Sequence, residues 1–173
     1  MLVLTNSTTL NDAQVRRDLC HADEVFCKLD AADERTFRII ARPVAGITLR
    51  AVVEGIKRFR AKYAGRLAVQ VMLMRRHRGR AEAFARLLAE ISPDEVQLGA
   101  PLRPVPRVWH REARGNSESV TLPAAHHVRT MSREEAASFE SRLHELTGLE
   151  IVSVYRRGRS RPSPRLTSPL SVG

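Results

Sequence analysis

The chain has 173 residues and a mass of 19.4 kDa, which corresponds to one domain of ordinary size. Hydrophobic residues make up 43% and charged residues 28%, so a packed core is expected and wholesale disorder is excluded. No apolar run reaches the ~18 residues of a membrane-spanning helix, and the net charge of +10 points to an anionic partner, RNA or a phosphate-bearing substrate.

Elements follow in chain order. Leu2 to Thr5 reads as a short buried strand. Asn11, with Gln14 behind it, resembles a capping box for a helix running to Cys20. Glu24 to Leu29 is the next strand, and Asp33 caps a helix over Glu34 to Ala41 that stops before Pro43. Leu49, Val52, Val53, Ile56, Phe59 and Tyr63 form a helical stripe, capped by Thr48 and ended by Gly65. Leu67 to Met74 is almost continuously apolar, as expected of a strand buried on both faces. Ala81, Phe84, Leu87, Leu88 and Ile91 form another helical stripe, closed by Pro93, and Glu95 to Leu98 is a further strand. Residues 101–131 are broken by Pro101, Pro104, Pro106 and Pro123. Ser132 with Glu135 then opens a helix with Ala136, Phe139, Leu143 and Leu146 on one face, ended by Gly148, and residues 150–155 alternate as an edge strand. The tail 156–173 is rich in Arg, Pro and Ser and is expected to be disordered.

Alternation of strand and helix implies an α/β fold with mostly parallel strands, and function is expected at the strand C-termini. The basic residues cluster in three places: Arg75, Arg76, Arg78 and Arg80; Arg103, Arg107, Arg111 and Arg114; and the tail. Aromatic residues are only 5% and do not interleave with these arginines, so nucleic acid would be held through phosphates rather than by base stacking.

Specific chemical motifs are few. Cys20 and Cys27 are too few for a disulfide framework, which fits a cytoplasmic protein, and their spacing is not that of a zinc site. His126-His127 has no nearby cysteine or carboxylate, so no protein-held metal is expected. P-loop, dinucleotide-binding and nucleophile-elbow motifs are absent. Lys28 and Asp30 lie two apart at a strand end and share a side. They read either as an ion pair closing the mouth of the sheet or as groups meeting a polar ligand.

Several segments together resemble the radical S-adenosylmethionine (SAM) superfamily, in its Fe–S oxidoreductase branch related to wyosine tRNA-modification enzymes. They are Leu4-Thr-Asn-Ser7, Val15-Arg-Arg-Asp-Leu19, Ala22-Asp-Glu-Val25, Lys28-Leu-Asp-Ala-Ala-Asp-Glu-Arg-Thr-Phe37, Ala41-Arg-Pro43, Gly55-Ile-Lys-Arg-Phe59, Val69-Gln-Val-Met-Leu73 and Pro93-Asp-Glu-Val-Gln-Leu98, leading into Pro101-Leu-Arg-Pro104. The resemblance implies the C-terminal part of a partial (β/α)6 TIM-like barrel over 1–104, entered at its third strand. A Pro/Arg-rich connection (105–131), a helix and strand (132–155) and the basic tail (156–173) would follow.

It also implies SAM and a [4Fe–4S] cluster as cofactors of the complete family protein, but the Cys-x-x-x-Cys-x-x-Cys loop that holds the cluster is not in this sequence. The chain is therefore expected to be a C-terminal fragment, a split-gene piece or a degraded copy, inactive alone, with a missing N-terminal half as a candidate partner. By the resemblance, Lys28 and Asp30 would hold the ribose or carboxylate of SAM. Gln70 and Met72 would line the cofactor face, and Gln97 and Leu98 would meet the adenine, largely through backbone groups. Two departures stand out: Arg75-Arg-His-Arg-Gly-Arg80 replaces a Gly-Asn-Asp-like turn, and Gly99-Ala100 replaces an Asn-Thr-like pair. The alternatives are a non-catalytic remnant, a basic RNA-binding module, or an ordinary metabolic α/β barrel enzyme.

Charge distribution gives a direct test. Ending the chain at Tyr155 removes five arginines, Arg156, Arg157, Arg159, Arg161 and Arg165. If they meet phosphates, the slope of log affinity for single-stranded RNA against log salt should flatten by up to about 3.5. An unchanged slope in a salt series would identify the tail as a passive linker.

Overall fold

The computed structural model describes residues 1–101, 105–106, 125–126 and 129–155. Most of the expected Pro/Arg-rich connection, with Arg103, Arg107, Arg111, Arg114 and His127, lies outside the described residues, as does the whole tail.

The described elements are β1 (Leu2–Thr5), α1 (Ala13–Leu19), β2 (Glu24–Lys28), α2 (Glu34–Ala41), α3 (Leu49–Arg60), β3 (Arg66–Met72), α4 (Ala81–Ile91), β4 (Glu95–Gly99), β5 (Val105–Pro106), β6 (Ala125–His126), α5 (Arg133–Thr147) and β7 (Glu150–Ser153). Five strands form one all-parallel sheet in the order β1-β2-β3-β4-β7. Each strand pairs with the previous one of the sheet, so the chain steps across it without reversing direction. The sheet is open, with β1 and β7 as its edges, and it has the strand order of a partial barrel. Residues 133–153 add a helix and a fifth strand to this sheet, and β5 and β6 form a separate two-residue antiparallel pair.

Local chemistry sets the helix starts. Asp33 accepts from Thr36 N–H, Thr48 from Ala51 N–H, and Ser132 and Glu135 form a reciprocal capping box. The first helix departs from the sequence reading. Asp12 is its cap, through Gln14 N–H, while the Asn11 amide donates instead to the Ala51 carbonyl and ties the β1–α1 loop to α3. Helix α3 ends at Arg60, earlier than its stripe implied, because Tyr63 folds back to stack on Phe59 with centroids 4.5 Å apart. Gly65 permits this return: a Cβ there would lie 2.4 Å from the Tyr63 hydroxyl and 2.8 Å from the Asp23 carbonyl.

One face of the sheet makes the core. Val25, Cys27, Leu67, Val69, Val71, Val96, Leu98 and Ile151 pack in a single cluster with Phe37, Ile56, Phe59, Phe84, Leu88, Phe139 and Leu143 from the helices. Val15 and Leu19 of α1 pack against the same cluster. Truncating a fully buried aromatic such as Phe59 or Phe84 should cost about 3–5 kcal/mol. The opposite-facing strand residues, Phe26 and Ala68 among them, are not part of this cluster. The continuous apolar run of β3 thus marks a strand whose residues 67–69 are fully buried on both faces, with this helix-side cluster on one of them.

The β1 edge is apolar and open. Met1, Leu2 and Leu4 are 69%, 52% and 59% exposed, and the strand of residues 150–153 lies at the far edge and does not cover them. An uncovered apolar edge strand recruits other strands. Light scattering of the purified chain should show mass rising with concentration, and Leu4→Lys should reduce that rise. A constant monomer mass at high concentration would contradict this.

Candidate binding site at the strand C-termini

Strand alternation places the even-numbered residues of β2 and β3, and the odd-numbered ones of β4, on the sheet face opposite the helices. Parallel register then aligns them in rows. Lys28 pairs with Gln70, Gln70 with Gln97, and Gln97 with Val152, which makes one row across four strands near their C-terminal ends. The next position pairs Met72 with Gly99. Gln70, Met72 and Gln97 are half-buried and Lys28 is exposed. Five of the six residues expected at a SAM site, Lys28, Asp30, Gln70, Met72 and Gln97, are thus gathered at one end of one face. Gly99 has a positive reason to lack a side chain, since its Cβ would fall 2.6 Å from the Met72 sulfur.

Leu98 is placed differently. Its side chain is 1% exposed in the helix-side core, and its carbonyl accepts from Val154 N–H. The one-residue step from Gln97 turns it to the other face.

Asp30 is the hinge of the mouth. Its side chain is 10% exposed, one oxygen accepts from Met72 N–H at 2.8 Å, and the other lies 3.0 Å from Lys28 Nζ. Both carboxylate oxygens are therefore engaged, tying the end of β2 to the end of β3. Half-exposed Lys28 contributes little through the ion pair, whereas the hydrogen bond from a backbone N–H to a nearly buried carboxylate carries about 1.5–3 kcal/mol. The ion-pair reading of these residues is realised, with Lys28 Nζ facing solvent beside it.

Two further polar side chains are buried here, Ser7 and His77. Ser7 is fully buried at φ 68° and donates to the Lys28 carbonyl. His77 is 1% exposed, held in a 3-10 turn over Arg75–His77. Its Nδ1 accepts from Met74 N–H at 3.1 Å, so Nε2 carries the proton and donates to the Asp30 carbonyl at 2.9 Å. Burial pushes its pKa below the ordinary 6.5, against the raising effect of Asp30 and Asp33. In the sequence His77 is one polar residue among arginines; only the fold of the turn shows that it alone points inward.

The other end of the same face is closed by charge. Glu95 is fully buried and takes the Arg66 guanidinium and, at 2.8 Å, the Gln97 amide, while Arg66 lies 3.5 Å from Glu150. Gln97 is thus held from below. The Gln70 amide has no hydrogen-bond partner among the described residues, which leaves its donor and acceptor free on the half-buried face.

Around this mouth stand Arg75, Arg76, Arg78 and Arg80, all exposed. Arg78 pairs with Glu135, and Arg75 N–H donates to the Arg129 carbonyl, which fixes the arginine turn against the start of α5. Helix α4 begins after Arg80 without a side-chain cap, and Gly79 supplies the positive φ of 63° that turns the chain into the helix.

A cluster site is not formed. Cys27 lies in the helix-side core with its thiol pushed up to about 12 by burial, while Cys20 is exposed at the end of α1. No group of three metal-ligating side chains occurs among the described residues. No helix among them is long and apolar enough to cross a membrane.

The geometry predicts how Asp30 matters. Asp30→Ala should lower the unfolding free energy by about 1–3 kcal/mol in denaturant titration, and Asp30→Asn, which keeps an oxygen for Met72 N–H, should lower it less. Equal losses for the two variants would mean that the Met72 hydrogen bond is not the stabilising element.

No family model matches the sequence. The chain is 44% identical over 116 residues to the UPF0026 protein slr1464 of Synechocystis sp., a match that covers 66% of this chain and 44% of that protein. It is 32% identical over 105 residues to the UPF0026 protein MJ1312 of Methanocaldococcus jannaschii, covering 59% of this chain and 33% of the relative. It therefore spans less than half the length of either curated relative. Among solved structures it is similar to a radical SAM methyltransferase from Sphaerobacter thermophilus, with a TM-score of 0.54 at 17% identity, over 91% of this chain and 40% of that one. At that identity the likeness shows the fold: an open, all-parallel α/β sheet of the kind found in a radical SAM barrel enzyme.

Proposed function

We infer that this chain forms the C-terminal, SAM-facing portion of a radical SAM enzyme whose cluster-binding portion lies in a separate segment or chain. The observation that carries this reading is the polar row Lys28–Gln70–Gln97, gathered at the strand C-termini on the helix-free face of a fold shared with a radical SAM methyltransferase. SAM fits the donor set. It offers an amine, a carboxylate, a ribose diol and an adenine edge. The site offers a half-exposed ammonium, an amide without a partner among the described residues and a second amide held by Glu95.

In this role Lys28 meets the carboxylate or ribose end, Gln70 supplies paired donor and acceptor groups, and the Met72 thioether packs against an apolar part of the ligand. Gln97 presents its amide toward the adenine, with Leu98 acting only through the neighbouring backbone. Asp30 positions Lys28 and the β3 end. The [4Fe–4S] cluster does not fit this chain, because Cys20 and Cys27 lie on the wrong sides of the structure and no third thiol exists. The exposed β1 edge is where a cluster-binding half would add its adjoining strand, and the curated relatives are more than twice as long as the shared region.

The second reading, a basic RNA-binding module, is favoured by the exposed arginines at the mouth. Salt-dependent RNA affinity without any SAM binding would single it out.

Equilibrium dialysis with labelled SAM tests the first reading. Weak saturable binding is expected, reduced about two- to tenfold by Gln70→Ala and by Gln97→Ala. After anaerobic reconstitution with iron and sulfide the chain should stay colourless and form no 5′-deoxyadenosine. Absence of SAM binding up to millimolar concentration would overturn the assignment; a stable brown cluster on this chain would overturn the placement of the ligands elsewhere.

A further inference from the structure

The turn after β3 contains a residue whose contacts are unlike those of its neighbours. Arg75, Arg76, Arg78 and Arg80 all face solvent, while His77 between them is 1% exposed. Its ring reaches across two strand ends at once. Nδ1 accepts from Met74 N–H, just past β3, and Nε2–H donates to the carbonyl of Asp30, just past β2. The ring edge sits on Phe84 of α4, with centroids 5.4 Å apart and planes at 81°. Phe84 in turn stands edge-on to Phe139 of α5 at 5.7 Å. One imidazole thus joins the β2 end, the β3 end and the two-helix layer behind them.

Its partner residue carries the rest of the mouth. The Asp30 carboxylate holds Met72 N–H and Lys28 Nζ, so the His77–Asp30 contact and the Asp30 side chain form one continuous brace. Lys28, Gln70 and Met72 all stand on the two strands that this brace connects.

We propose that His77 is a positioning residue that sets the spacing of the β2 and β3 ends only in its neutral, Nε2-protonated form, so that ligand binding at the mouth is lost when the imidazole takes a second proton. The chemistry is direct. A proton on Nδ1 would turn the acceptor of Met74 N–H into a donor, leaving two N–H groups face to face in a buried place. The Met74 contact would break and the arginine turn would move away from the β3 end. This rests on the SAM-site reading only for its binding consequence; the brace itself does not depend on it.

The surrounding charges decide the direction. From β2 and the start of α2, Asp30 and Asp33 face the ring and favour its cation. The ring's own turn brings Arg75, Arg76, Arg78 and Arg80. The segment before α5 brings Arg129, and Glu135 is engaged by Arg78. Phe84 offers no charge from α4. Burial outweighs the two aspartates and lowers the His77 pKa from 6.5. A histidine with a lowered folded-state value gives its stability above the unfolded value, and that stability is lost as pH falls below about 6.5 and through the folded value.

The test uses the whole chain and two readouts. Long-range 15N–1H correlation of the histidine rings should show His77 at pH 7 as the Nε2–H tautomer, with a titration midpoint below 6.5, and the Met74 and Asp30 amide signals should shift on that same curve. Labelled SAM should bind about fivefold more weakly at pH values below the His77 midpoint than at pH 7, the value of one lost hydrogen bond. His77→Gln, which keeps an N–H for the Asp30 carbonyl and does not titrate, should remove that pH dependence. The proposal fails if His77 is the Nδ1–H tautomer or doubly protonated at pH 7. It also fails if the Met74 and Asp30 amides ignore its titration, or if His77→Gln keeps the pH dependence. Absence of SAM binding at either pH would instead count against the SAM-site reading, while the ring and amide signals would still decide the brace.

Discussion

Parallel register is the constraint on which the candidate site depends. Because β2, β3 and β4 pair residue for residue without a slip, Lys28, Gln70 and Gln97 stand in one row at one depth. A shift of one residue in any strand would send its polar side chain into the helix-side core and bring an apolar one out. The core prevents that shift. Cys27, Val69, Val71, Val96 and Leu98 alternate with the polar row and are fully or almost fully buried beneath the helices. The hydrophobic effect that holds the helices on one face therefore also fixes the polar chemistry of the other.

The two ends of the polar face are stabilised by different means. At the N-terminal end of the strands, Glu95 is buried and compensated by Arg66 and Gln97, an arrangement that closes the base of the sheet. At the C-terminal end, charge is used sparingly inside and generously outside. Asp30 is the nearly buried charge, its two oxygens both engaged, while the arginines of the following turn remain in solvent. Neutral His77 lies between these zones. A buried cation in its place would have to be desolvated beside four exposed guanidiniums, and burial accordingly dominates its titration. The mouth thus keeps a lysine and two amides accessible without an unpaired buried charge.

The comparisons place this arrangement on one part of a larger plan. The similar methyltransferase contains the fold of nearly all of this chain in 40% of its own length, and the curated relatives extend well beyond the shared region. The β1 edge of the sheet is apolar and exposed. Leu2 and Leu4 expose their side chains there on the sheet face opposite the helices, whereas the other edge is the short β7.

The sequence alone was enough for the alternation of strands and helices, because helical stripes such as Val52 to Phe59 and caps such as Asp33, Thr48 and Ser132 are local features, and local periodicity is what a linear sequence records. Spacing also marked Lys28 and Asp30, two apart at a strand end and therefore on one side, while Gln70, Met72 and Gln97 were marked only by the resemblance to radical SAM enzymes. The sequence did not separate Asn11 from Asp12 as a helix cap, which turned on a bond from Asn11 to distant Ala51. The apolar run of β3 was legible as burial on both faces, since Ala68 is fully buried opposite the helix-side cluster that holds Leu67 and Val69. His77 was illegible because its partners, Asp30 and Phe84, come from different elements. Which side of a turn faces inward is set by what the rest of the chain packs beneath it, so only tertiary structure could make that histidine a brace and leave its arginine neighbours in water.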